Sequence, residues 1–275
     1  MNILEAVILG LIQGITEYFP VSSSGHLLLL PGILESLGLN LDFSFQNNSY
    51  DIILHMGTFL ALVIIFRKRI WDLITNRTPE NLQLLRNLAL TTIPMIFIGG
   101  IVFVAGGDER QPEIIGVITL VVIGVVFIVI DLFPETIKKL IKTDRVATIE
   151  NMSAAVAVKI GIWQLLSLVK GVSRSGITLL AGILSGMSRK EALDYSFLAS
   201  IPLFAILTTV EILYLVIRPE ANSYGLGEVL AGVASAFIAA LLAITFFRGF
   251  IEKKFVLAGF GIYRIILAVI TLALM

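Results

Sequence analysis

The sequence predicts an all-α polytopic membrane protein: two inverted repeats, six transmembrane helices, and two re-entrant helical hairpins that meet near the midplane. Three observations carry this. Of 275 residues, 57% are hydrophobic and 15% charged, with a mean hydropathy of +0.96, whereas soluble domains carry about a quarter charged residues. Apolar runs recur at Leu54–Phe66, Leu88–Val104, Ile114–Ile130, Ile201–Ile217, Val229–Phe247 and Phe255–Met275, each near the ~20 residues that span hydrocarbon once flanks are added. Lysine and arginine are concentrated in alternate connections. They mark 67–86, 134–159, 186–194 and 248–254 as cytoplasmic, and 31–50, 106–113 and 218–228 as outside.

That alternation holds only if residues 1–34 begin and end outside and residues 151–185 begin and end inside. Each stretch therefore reads as a hairpin of two half-helices with a polar tip, one entering from each face. The two resemble each other. Offsetting the chain so that Gly10 falls on Gly161 puts Gln13 on Gln164, Val21 on Val172, Ser22 on Ser173, Ser24 on Ser175 and Gly25 on Gly176. Tyr50-Asp-Ile-Ile-Leu-His55 is likewise similar to Tyr195-Ser-Phe-Leu-Ala-Ser200. The chain thus reads as one membrane domain, 1–275, with repeat 1 at about 1–133 and repeat 2 at about 151–275. Transporters are also built from inverted repeats with broken helices, so a flippase or anion carrier is the alternative to an enzyme. The N-terminal segment has Asn2 and Glu5 where a cleaved signal peptide has basic residues. With no cysteine there is no thiol chemistry. A net charge of zero singles out no partner. The expected partners are membrane lipids and a lipid substrate, not nucleic acid, and a homodimer is left open.

Chemistry concentrates at the two tips. In the first, Gln13 and Glu17 are four residues apart and share a helix face, followed by Ser22, Ser23, Ser24 and His26. An ionisable group at membrane depth marks function by default. Glu17 can ligate a hard cation such as Mg²⁺ or Ca²⁺, with Gln13 beside it, or it can orient His26. A tip serine caps the following half-helix or acts as a nucleophile, with His26 the neighbouring base that titrates near neutral pH; His26 activating water directly fits the sequence equally well. In the second tip, Arg174 stands among Ser173, Ser175 and Thr178. A guanidinium fork, hydroxyls and a helix N-terminus together read as a phosphate cradle. Arg264, roughly 13–14 Å into the last span, adds charge to the same site or pairs with an acid. His55 and Asp51 fall at the outer end of their span, in a solvated position.

Gln13-Gly-Ile-Thr-Glu17-Tyr-Phe-Pro-Val-Ser-Ser-Ser-Gly-His26 and Gly171-Val-Ser-Arg-Ser-Gly-Ile-Thr178 resemble the two signature segments of the undecaprenyl-diphosphate phosphatase family, the integral-membrane bacitracin-resistance type. The likeness extends to Leu54–Thr58 and Ile262–Arg264. It implies a multi-pass protein of the cell membrane with its site open to the outer face. It implies hydrolysis of a polyprenyl diphosphate to the monophosphate and inorganic phosphate, which recycles the carrier lipid for cell-wall synthesis and gives bacitracin resistance. It also implies a divalent cation. By position, the family's acidic pair falls on Gln13 and Glu17, its serine and histidine on Ser23 and His26, and its arginine motif on Ser173, Arg174 and Thr178. The catalytic set is then Glu17, Ser23, His26 and Arg174. Gln13, Ser22, Ser24, Ser173, Ser175, Thr178 and Arg264 bind substrate, and Glu17 and Gln13 hold the metal. The first acidic position is an amide here, Gln13, which the family tolerates but which weakens a two-carboxylate metal site, and Lys170 stands where proline usually precedes Gly171. Lys170 either binds phosphate or snorkels to the cytoplasmic face.

Overall fold

The computed structural model describes residues 1–23, 25–26, 49–105, 111–141, 147–217 and 224–274. Among them the secondary structure is helical, apart from one isolated bridge between Ala147 and Met187. Helix α1 (Ile3–Tyr18) starts at a capping box: Asn2 Oδ1 accepts Glu5 N–H at 3.0 Å and Glu5 Oε2 accepts Asn2 N–H at 2.6 Å. It stops because Pro20 forces Phe19 out of the helical region, to φ −75° and ψ 145°. Helix α2 is Ser49–Thr75 and α3 is Pro79–Pro94. Thr78 caps α3 through Asn81 N–H, and Pro79 fills a position whose N–H has no helical partner. Pro94 removes a donor from the ladder, and the helix continues through a π-helical turn, Met95–Gly99, into Gly100–Val104. There follow α4 (Glu113–Leu132), α5 (Pro134–Ile141), α6 (Ala154–Gln164, extended by a 3-10 turn at Leu165–Leu168), α7 (Arg174–Ile183), α8 (Arg189–Ile217), α9 (Leu226–Phe250) and α10 (Val256–Leu274).

Five helical stretches among the described residues are long and apolar enough to cross a membrane: Pro79–Val102, Glu113–Leu132, Arg189–Val210, Leu226–Phe250 and Val256–Leu274. The sixth expected span, Leu54–Phe66, lies within α2. That helix has the length, 27 residues, but carries Asp51, His55, Arg67, Lys68 and Arg69. Large apolar side chains face outward at helical spacing, such as Ile118, Val122, Val125 and Val129 on α4 and Ile262, Ile266 and Val269 on α10. These are lipid-facing stripes, because hydrocarbon tolerates such a surface where water does not. Inward faces carry small residues. Helices α4 and α10 cross at Gly124 and Gly261, where a Cβ would stand 2.7 Å and 2.4 Å from the opposite carbonyl oxygen. Contact between bare backbones supplies the dispersion that burial of apolar area cannot supply in lipid.

Both polar tips are breaks between helices. α1 ends before Pro20 and helix resumes at Ser23; α6 with its 3-10 turn ends at Leu168 and α7 begins at Arg174. Each tip turns on a serine with positive φ, Ser22 at 73° and Ser173 at 67°. That conformation costs an L-residue about 1–2 kcal/mol. Each serine also caps the helix it starts: Ser22 Oγ accepts Gly25 N–H at 3.4 Å and Ser173 Oγ accepts Gly176 N–H at 3.2 Å.

Candidate active site

The tips meet at Glu17. This carboxylate, in the last turn of α1, is buried. Its Oε1 accepts Arg174 Nη2–H at 2.7 Å. Its Oε2 accepts Gln13 Nε2–H at 3.0 Å and Ser23 Oγ–H at 3.0 Å, and His55 Nε2 stands 3.4 Å away. One carboxylate thus gathers an amide, a hydroxyl, a guanidinium and an imidazole from α1, the first tip, α7 and α2. Arg174 also lies over the Phe204 ring of α8, 4.6 Å from its centroid. Among the described residues, two polar atoms here are buried without a partner: the donor Arg174 Nη1 and the acceptor Gln13 Oε1. An unspent guanidinium N–H, next to a carboxylate that already neutralises its partner nitrogen, suits an anion's oxygen.

Other expected residues are placed differently. His26 does not face Ser23 or Glu17 with its ring nitrogens. Nδ1 lies 2.7 Å from Ser22 O, and Nε2 lies 2.6 Å from Tyr263 Oη, with the two rings stacked at 5.5 Å. A carbonyl only accepts, so Nδ1 carries the proton and Nε2 accepts from the tyrosine. The hydroxyls of the second tip are largely committed to protein. Ser175 Oγ donates to Phe19 O at 3.1 Å, and Thr178 Oγ1 pairs with Ser196 Oγ at 2.6 Å. Ser173, half-buried, caps α7 and meets Ser175 Oγ at 3.2 Å. Ser22 is buried, and Ser24 lies outside the described residues. Lys170 Nζ donates to Gln111 O at 3.2 Å, just before α4.

Arg264 is fully buried and donates to Pro20 O at 3.1 Å and Gly171 O at 2.6 Å. It staples one tip to the other through their carbonyls, where pairing with an acid was one expectation. Arg264→Leu would leave both carbonyls unpaired, at about 1–3 kcal/mol each, so a thermal unfolding midpoint well below wild type in detergent is expected. Arg264→Lys should recover less than half of that loss, since one ammonium cannot serve both tips.

His55, expected in a solvated position, instead meets Glu17. Helix α2 begins at Ser49, ahead of the apolar run that starts at Leu54. Six residues into a helix is about 9 Å, enough to bring the imidazole to Glu17. Tyr263 was missed as a site residue altogether.

The implied divalent cation can be tested against this donor set. Among the described residues no three His, Cys, Asp or Glu side chains are grouped as metal ligands. Glu17 supplies a single carboxylate, already paired with Arg174, and the oxygen left open beside it among the described residues is the neutral Gln13 Oε1. Mg²⁺ and Ca²⁺ are held by several oxygens, usually with more than one carboxylate's charge among protein and ligand. These residues do not fit a dication held by the protein.

A serine and a guanidinium joined through one buried carboxylate, inside helices dressed for lipid, define a multi-pass membrane protein with a polar cluster suited to an anion. Comparison with known proteins narrows this. Residues 6–270 match the family described as Bacitracin resistance protein BacA, and the chain belongs to that family. It is 32% identical over 265 residues to undecaprenyl-diphosphatase 2 of Paramagnetospirillum magneticum, covering 95% of each chain. It is 36% identical over 272 residues to the undecaprenyl-diphosphatase of Campylobacter jejuni subsp. jejuni, covering 97% of this chain and 92% of that one. The Campylobacter hominis undecaprenyl-diphosphatase is 33% identical over 268 residues.

Proposed function

We propose that the chain hydrolyses undecaprenyl diphosphate to undecaprenyl phosphate and inorganic phosphate. Family membership supports the reaction class. The observation that carries it on this chain is the unspent Arg174 Nη1 beside a Ser23–Glu17 hydrogen bond. In this reading the lipid's diphosphate enters at the tips. Arg174 Nη1 and the first N–H groups of α7, which have no intrahelical acceptor, hold the non-bridging oxygens and stabilise their charge as the transition state forms. Ser23 Oγ attacks the terminal phosphorus and passes its proton to Glu17 Oε2. The bond from that phosphorus to the bridging oxygen breaks, and undecaprenyl phosphate leaves. Water then cleaves the phosphoserine, releasing phosphate and restoring Ser23.

The finer architecture is part of the same proposal: α2 as the sixth span, two re-entrant hairpins, repeats at about 1–133 and 151–275, and a site open to the outer face of the cell membrane. Matching contacts support the repeats. Tyr50 Oη donates to Glu228 O of α9 at 2.8 Å, and Tyr195 Oη to Asn87 O of α3 at 3.1 Å. Helix α1 packs on α9 as α6 packs on α3.

The test is phosphate release from purified protein given undecaprenyl diphosphate, with rapid quench and mass spectrometry of the tip peptide. Phosphate release by wild type and phosphorylated Ser23 during turnover are expected, with both lost in Ser23→Ala. If Ser23→Ala keeps wild-type release, Ser23 is not the nucleophile. A wild-type protein that carries the lipid across vesicles without releasing phosphate would make the chain a carrier.

A further inference from the structure

Gln13 bridges two acceptors. Its Nε2 lies 3.0 Å from Glu17 Oε2 and 3.1 Å from His55 Nε2, and those two atoms are 3.4 Å apart. His55 Nδ1 is 2.6 Å from the carbonyl oxygen of Asp51. The Glu17 carboxylate turns the Gln13 NH₂ group toward His55 Nε2, which meets it with its lone pair, while Nδ1 carries the ring proton because a carbonyl cannot donate. Both amide hydrogens of Gln13 are then used, one on the carboxylate and one on the imidazole. Flipping the amide would turn its oxygen onto Glu17, so the orientation is dictated by the charge it faces.

An acid at position 13 has no hydrogen to give when ionised. Two carboxylates and an imidazole lone pair would face one another within a few ångströms, and a bound cation is what relieves such a cluster. Here the amide's NH₂ group stands where that cation would sit. The remaining oxygen of Glu17 is held by Arg174 at 2.7 Å, so the carboxylate is neutralised from the other side as well.

We propose that this site is assembled without a divalent cation held by the protein, because the Gln13 amide takes that ion's place between Glu17 and His55. Gln13 Oε1, buried and unpartnered among the described residues, is left to accept a hydrogen bond from a water that comes in with the diphosphate.

This rests on the phosphatase reading for the identity of the anion. The test therefore reads cation binding in the absence of substrate, so that a protein which failed to turn over would still answer it. Mn²⁺ is titrated into the purified full-length chain in detergent and followed by electron paramagnetic resonance. Wild type and Glu17→Gln are expected to show the same weak, non-stoichiometric binding. Gln13→Glu is expected to gain one site, tighter by at least about tenfold from the added ligand charge, and the double variant Gln13→Glu/Glu17→Gln should lose it. One stoichiometric Mn²⁺ in wild type that disappears in Glu17→Gln overturns the proposal. So does a folded Gln13→Glu protein that binds no more Mn²⁺ than wild type. Should Gln13→Glu fail to fold, the comparison of wild type with Glu17→Gln decides by itself.

Discussion

Arg174→Lys is expected to lower kcat/KM for undecaprenyl diphosphate by about 10²–10³-fold although formal charge is kept. The guanidinium does two things at once. Nη2 donates to Glu17 Oε1 at 2.7 Å while Nη1 stays buried and unpaired, and the plane of the group rests on Phe204. A lysine ammonium is a single point on a flexible stem. It can sit on Glu17 and leave the phosphoryl oxygens without a donor, or reach the phosphate and leave Glu17 unpaired in a dry site. Either way one charge-assisted bond is lost in the transition state, worth about 3–4 kcal/mol at the expected rate loss. The loss should fall mainly on kcat, since the charge that draws the anion in is retained. It is measured by steady-state phosphate release in detergent or nanodiscs, with a thermal unfolding scan to confirm a folded protein. Wild-type kcat in Arg174→Lys would remove the guanidinium fork from the mechanism.

The sequence made the Glu17–Arg174 meeting legible because opposite charges at membrane depth must find partners or ligands, and the two sat in the only polar breaks of apolar hairpins. It did not make the partners of Arg264 legible. That guanidinium binds the carbonyls of Pro20 and Gly171, and backbone acceptors are the same in every residue, so nothing in the letters marks which ones a turn leaves open. His26 shows a second limit. Its position three residues after Ser23 suggested a base for that hydroxyl. The ring is instead held by Tyr263, 237 residues away, a contact that no local pattern encodes. The positive φ of Ser22 and Ser173 was equally hidden, because serine at a turn reads as an ordinary cap. The amide at Gln13 is plain in the letters, but its partner His55 is not, because only the start of α2 at Ser49 sets where that imidazole lies.

Glu17→Gln is expected to reduce phosphate release by about 10³-fold or more, and His26→Ala by at least about tenfold less. The difference follows from which group holds the Ser23 hydroxyl. Ser23 Oγ donates to Glu17 Oε2 at 3.0 Å, whereas both nitrogens of His26 are occupied by Ser22 O and Tyr263 Oη. Removing the carboxylate's charge takes away the proton acceptor of the attack. It also strands Arg174, half-buried at 2.7 Å, and a charge left without its partner in such a site costs up to about 3–5 kcal/mol. Glu17→Gln should therefore also unfold at lower temperature. Glu17→Asp separates the two effects, because a shorter carboxylate keeps the charge for Arg174 but withdraws from Ser23. Near-normal stability with a large loss of kcat is expected for it. In a single-turnover experiment, Glu17→Asp should slow the appearance of phosphorylated Ser23, while His26→Ala should leave that step closer to wild type. Were His26→Ala to suppress phosphoserine formation as severely as Glu17→Gln, the proton from Ser23 would have to go to the imidazole, and the resting contact with Tyr263 would have to open before attack.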